Sequence, residues 1–87
     1  MATAGTDHAS VRLSNTAATM LNALFGQDKS KIRTAMAQIE ADIRDPAKVR
    51  RIVGRDGVYV AKGHGMRVVF KRENEAAVIT SVATADG

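Results

Sequence analysis

The chain contains no cysteine and no tryptophan. Without thiols there can be no disulfide, no thiolate metal site and no thiol nucleophile. A small domain with no such staple fits a reducing compartment, and the expected location is the cytoplasm. Aromatic residues are almost missing as well: one tyrosine and two phenylalanines among 87 residues. That argues against the stacked aromatic surface of an RRM or cold-shock domain, and it leaves Val, Ile, Leu, Met and Ala to fill the core. There are only two histidines. No carboxylate pair, P-loop, nucleotide fingerprint or metal-ligand spacing occurs, so neither a metal nor a small-molecule cofactor is expected. No apolar run approaches the ~20 residues of a membrane span, and no membrane partner is expected. The opening MATAGTDHAS lacks the basic and apolar regions of a signal peptide. Residues 1–8 read as a flexible tail, and 9–87 as one small domain.

Positive charge is concentrated rather than spread. The formal net charge is +4. From Arg44 to Arg72 the chain carries nine Lys or Arg against two acids, Asp45 and Asp56, so this window is net +7 and the remainder net −3. A basic segment of this kind favours a polyanionic partner, nucleic acid or an acidic protein, over simple solvation.

The periodicities predict an α+β domain. Ala9–Leu13 alternates like a half-buried strand. Ser14, Asn15 and Thr16 offer helix caps. Beyond them Ala17, Met20, Leu21, Leu24 and Phe25 form one helical stripe that Gly26 stops. Asp28 or Ser30 can cap a second helix with the stripe Ile32, Ala35, Met36, Ile39 and Ile43, which Pro46 ends. Lys31, Gln38 and Asp42 read as its solvated side. Residues 47–55 are open between a turn of helix and an extended basic connector. Asp56-Gly57 is a turn signal. Val58–Lys62, Met66–Arg72 and Ala76–Val82 then read as strands joined by the short links Gly63-His64-Gly65 and Glu73-Asn74-Glu75. The expected architecture is an N-terminal strand, a helical hairpin and a three-stranded antiparallel meander, with the helices on one sheet face.

Alternation assigns the strand faces. Met66, Val68, Phe70 and Arg72 point one way, and the apolar members of that set should meet the helices. Arg67 and Lys71 then stand on the open face. Tyr59 is open between a place beside them and a half-buried sheet aromatic, the latter favoured, and Arg50, Arg51 and Arg55 are placed at the rim. Guanidinium groups so arranged can hold phosphates bidentately, so these residues are candidates for binding RNA or phosphate.

Gly65-Met66-Arg67-Val68-Val69-Phe70 resembles the glycine-aromatic-arginine-aliphatic-aliphatic-aromatic signature of the RelE/ParE superfamily, the toxins of bacterial toxin–antitoxin systems. The order of elements over roughly residues 9–83 agrees, including the basic connector that ends in Asp56-Gly57-Val58-Tyr59. For a RelE-like toxin the resemblance implies an antitoxin protein as partner. It also implies metal-independent cleavage of ribosome-bound messenger RNA by attack of a 2′-hydroxyl, with translation inhibited. By position, Arg67 matches the strand arginine, and Lys62 lies near, but offset from, the lysines of the preceding strand; the resemblance casts both as catalytic. Cations aimed at developing negative charge are what such chemistry needs. Two positions depart from the pattern. Met66 replaces an aromatic, and Ala83–Gly87 carries neither the arginine nor the Tyr or His of active members. The alternatives are a member that works through other residues, or one acting without catalysis by binding protein. The latter would be a ParE-like inhibitor of gyrase or an antitoxin-binding module.

His64 has two readings. As a general acid or base it would need an orienting partner, and no carboxylate lies near it in sequence. A glycine-flanked turn residue is the favoured reading.

Overall fold

The structure, a computed structural model, describes residues 10–84. The expected tail at 1–8 lies outside the described residues. Strand β1 (Ser10–Leu13) leads into helix α1 (Asn15–Phe25). Ser14 caps α1 by accepting the Ala17 N–H at 3.0 Å. Gly26 closes it with φ 61°, the left-handed conformation that glycine takes without steric cost. Helix α2 (Lys29–Arg44) follows at once. Asp28, not Ser30, is its cap, with Oδ1 accepting from Ser30 N and Lys31 N. The helix ends at Arg44, and Asp45, the residue before Pro46, is extended, as the steric rule before proline requires.

Residues 47–55 use both of the conformations left open by the sequence. Pro46–Lys48 is a single 3₁₀ turn, held by the Asp45 carboxylate on the Ala47 N–H. Val49–Arg51 is then a short strand, β2. The last three strands are β3 (Val58–Gly63), β4 (Met66–Glu73) and β5 (Ala76–Thr84). The sheet order is β1-β5-β4-β3-β2. The expected meander is present, but β2 extends it to four antiparallel strands, and β1 closes the other edge by pairing parallel to β5. β2 escaped the sequence reading because three residues are too few to show a period of two.

Both helices lie on one face of the sheet. The core there joins Ala17 and Leu21 of α1, Ala35, Ile39 and Ile43 of α2, and Met66, Val68, Phe70, Ile79 and Val82 of the sheet. Leu24, counted in the α1 stripe, is instead 39% exposed. Two further expectations are corrected. Tyr59 is not on the open face. It sits directly opposite Phe70, and the two rings stack at 5.6 Å on the helix side. Asp42 is not solvated: it is 1% exposed. It falls two helical turns beyond the buried Ala35, and so returns to the same stripe.

Candidate nucleic-acid interface

The face of the sheet that the helices leave uncovered is cationic. Cross-strand partners share a face, so the register assigns its occupants. Lys62 on β3 lies directly opposite Arg67 on β4, Val60 opposite Val69, and Val58 opposite Lys71. On β2, Arg50 lies opposite Val60 and so diagonal to Lys62. On β1, Arg12 lies opposite Val78, which pairs onward with Lys71. Arg12, Arg50, Lys62, Arg67 and Lys71 are all exposed. Arg12 was missed because it precedes the basic window and belongs to the face only through the parallel β1–β5 pairing.

These cations are not equivalent. Lys71 shares its charge with Glu73, the two side chains 3.6 Å apart. Among the described residues no acid lies within ion-pair distance of Arg50, Lys62 or Arg67. Like charges directly opposite on a sheet, with Cβ atoms roughly 5 Å apart, are destabilising. The Lys62–Arg67 pair is therefore an unrelieved cost in the isolated chain, and an anion placed between them would remove it. Beside the pair is a recess of about 290 Å³ lined by Ala47, Lys48, Arg50, Val60 and Lys62. A phosphate group fits such a volume, and three cations border it.

The remaining candidates lie apart from this cluster. Arg51 is opposite Tyr59 and so turns to the helix side of the edge strand, not to the open face. Arg55 is exposed in the loop before β3. Tyr59 is covered by Arg72, whose guanidinium sits 5.3 Å above the tyrosine ring and 5.7 Å from that of Phe70. A base-stacking role on the open face is therefore closed to Tyr59.

The β3–β4 turn holds a second cluster. His64 and Gly65 take φ 53° and 73°, the two positive angles of a tight hairpin turn. The glycine-flanked turn is thus as expected, but His64 is not alone in it. Its Nδ1 lies 3.0 Å from Oδ1 and 3.2 Å from Oδ2 of the buried Asp42. Lys48 Nζ reaches the same Oδ1 at 3.2 Å. The carboxylate accepts only, so Nδ1 is the donor. Gly63 makes room for this arrangement: a Cβ there would fall 2.5 Å from Asp42 Oδ1. The carboxylate partner of His64 comes from 22 residues away, and nothing local in the sequence reveals it. Among the described residues no three His, Cys, Asp or Glu side chains gather as metal ligands. No helix among them is long and apolar enough to cross a membrane.

No family model and no curated protein matches the chain. Solved structures do. A chain of the toxin–antitoxin complex RelBE2 from Mycobacterium tuberculosis superposes with a TM-score of 0.63 at 20% identity, over 90% of this chain and 92% of that one. The YoeB dimer from Staphylococcus aureus gives a TM-score of 0.59 at 15% identity, over 90% and 97%. Both likenesses span the helical hairpin and the sheet together rather than a fragment of either. At these identities the likeness is one of fold, and the fold of this chain is RelE-like.

Proposed function

We propose that the protein is the toxin of a bacterial toxin–antitoxin pair, acting on RNA through the open face of its sheet. The observation that carries this reading is the Lys62–Arg67 pair, two opposed cations with no acid among the described residues in reach. The RelE-like fold supports it, as does the cationic recess beside the pair. In this reading Arg67 and Lys62 hold the scissile phosphate and offset the charge that develops as a 2′-hydroxyl attacks. Arg50 and Lys71 bind flanking phosphates, and Arg12 extends the track across β1. Arg51 and Arg55, at the edge and in the loop, contribute to the surrounding field. The natural partner is an antitoxin protein, as in the RelBE2 complex. The site of action is the message on the ribosome in the cytoplasm, and the outcome is inhibited translation.

The test is cleavage of message on programmed ribosomes, read alongside growth arrest on expression. The wild-type chain should cut and arrest growth, and Arg67→Ala should do neither. An Arg67→Ala chain that still does both overturns the reading. So does a wild-type chain that does not cut, does not arrest growth and does not bind RNA. A wild-type chain that arrests growth by blocking gyrase supercoiling, with no effect on RNA, would instead place it with ParE-like inhibitors.

A further inference from the structure

The open face of the sheet is not cationic throughout. Register and alternation also put Val58 and Val60 of β3, Val69 of β4 and Val78 of β5 on it. Val60 pairs with Val69 in the middle row, while Val58 and Val78 pair with Lys71 from its two sides. All four valines are half-buried. None belongs to the core cluster or packs against it, because both helices lie on the other face. Four β-branched side chains grouped on an uncovered face make an apolar floor, whose contact with water is unfavourable. Sheets that bind single-stranded nucleic acid commonly place aromatic rings under the bases. Here both aromatics of the sheet, Tyr59 and Phe70, stack on the helix side, and valine occupies the middle of the open face.

The floor has cations at both ends. Lys62 and Arg67 border it toward the β3–β4 turn, and Lys71 and Arg12 stand in its far row. Arg67 and Lys71 are four residues apart on one strand, which sets them about 13 Å apart along it. One phosphate group cannot touch both. A chain that carries phosphates at intervals can, and whatever joins those phosphates then crosses Val60 and Val69. Val60 also lines the recess with Lys62 and Arg50. A group seated beside the Lys62–Arg67 pair therefore meets cation and apolar floor together. Single-stranded RNA offers that combination: regularly spaced anions with flat, largely apolar rings between them.

We infer that the valine floor seats nucleosides of a single-stranded RNA whose phosphates are held by the cations at its two ends. This rests on the reading of the open face as an RNA site. It adds that the bases between the two cationic rows lie toward the sheet, not away from it. Part of the affinity then comes from apolar contact and does not fall with salt, unlike the phosphate contacts. Valine side chains carry no hydrogen-bonding group, so they read no base edge. The floor accepts any base, and affinity should vary little with sequence.

The experiment is a double-mutant cycle between protein and ligand. Wild type, Val60→Thr, Val69→Thr and the double variant are titrated with a labelled single-stranded oligoribonucleotide and with an abasic oligomer of the same backbone and length, over a range of salt. Threonine keeps the β-branched shape and the strand propensity, so the fold should hold, and thermal melts check it. Each exchange of a methyl for a hydroxyl should weaken RNA binding roughly fourfold, and the double variant should lose about tenfold. The salt slope should keep its wild-type value, because no cation is removed. The abasic oligomer should bind wild type more weakly than RNA does, and should bind all four proteins alike. Equal affinity of wild type and double variant for RNA, or an equal loss in both on removing the bases, would mean that the bases face away. That result overturns the inference and leaves the cationic site standing. A wild-type chain that binds neither oligomer overturns the reading of the face and the inference with it. If that chain instead binds a peptide of alternating Glu and Leu, and the double variant does not, the floor belongs to a protein partner.

Discussion

The β3–β4 ribbon ends differently at its two ends. At the Asn74 end the two cations of β4 each have a partner. Lys71 pairs with Glu73, and Arg72 lies over the rings of Tyr59 and Phe70. At the His64 end Lys62 faces Arg67 with no acid among the described residues in reach, and a buried carboxylate pins the turn. One strand pair thus carries a settled end and an unsettled one. Natural sequences tend to break local rules where function is at stake, and here the like-charge pair stands at the end that adjoins a recess with room for a phosphate.

That contrast can be attacked from either side. The largest expected effect is at Gly63. Gly63→Ala drives a Cβ into Asp42 and should cost about 1–3 kcal/mol, lowering Tm by roughly 4–8 °C per kcal/mol in a domain of this size. Asn74→Gly, at the other turn with φ 56°, should stay within about 0.5 kcal/mol. Equal destabilisation in thermal melts would erase the contrast between the turns. Next comes the charge pair. Arg67→Ala or Lys62→Ala should leave stability unchanged or raise it by up to about 1 kcal/mol, because a like-charge contact is removed. Urea unfolding reads this, and a clear fall in stability would mean that the pair is structural. Arg72→Ala gives up its place over two aromatic rings and should cost about 0.5–1 kcal/mol, with a change in the near-ultraviolet dichroism of Tyr59. Smallest is Lys71→Ala, which removes a surface ion pair worth at most about 1 kcal/mol. A larger fall in urea unfolding would show that the settled end matters more to the fold than its exposure implies.

Much of the fold was legible because helix stripes and strand alternation are local signals. Ser14, Gly26, Asp28 and Pro46 bound the helices where the capping rules place them. Val68 and Phe70 face the core, and Arg67 and Lys71 the open side, as a period of two requires. Tyr59 lies on the face opposite to the expected one, although its own alternation with Val58 and Val60 is plain. Pairing it with Phe70 needs the register, which alternation in one strand does not supply. Arg12 joins the cationic face only through a parallel pairing between the two ends of the chain, Arg12 with Val78. The Asp42–His64 contact is likewise non-local. Asp42 was read as solvated because it is charged, although its spacing of seven from Ala35 returns it to the apolar stripe, where a carboxylate needs a partner.

The central claim is that the unsettled end of the ribbon is an anion site for RNA. Its most direct test is the salt dependence of single-stranded RNA affinity for wild type, Arg67→Ala, Lys62→Ala and Lys71→Ala. Removing one cation that neutralises a phosphate should reduce the slope of log affinity against log salt by about 0.7. That reduction is expected for Arg67→Ala and for Lys62→Ala, and a smaller one for Lys71→Ala, whose charge Glu73 already shares. Equal slopes in all four proteins, or a reduction confined to Lys71→Ala, would contradict the claim.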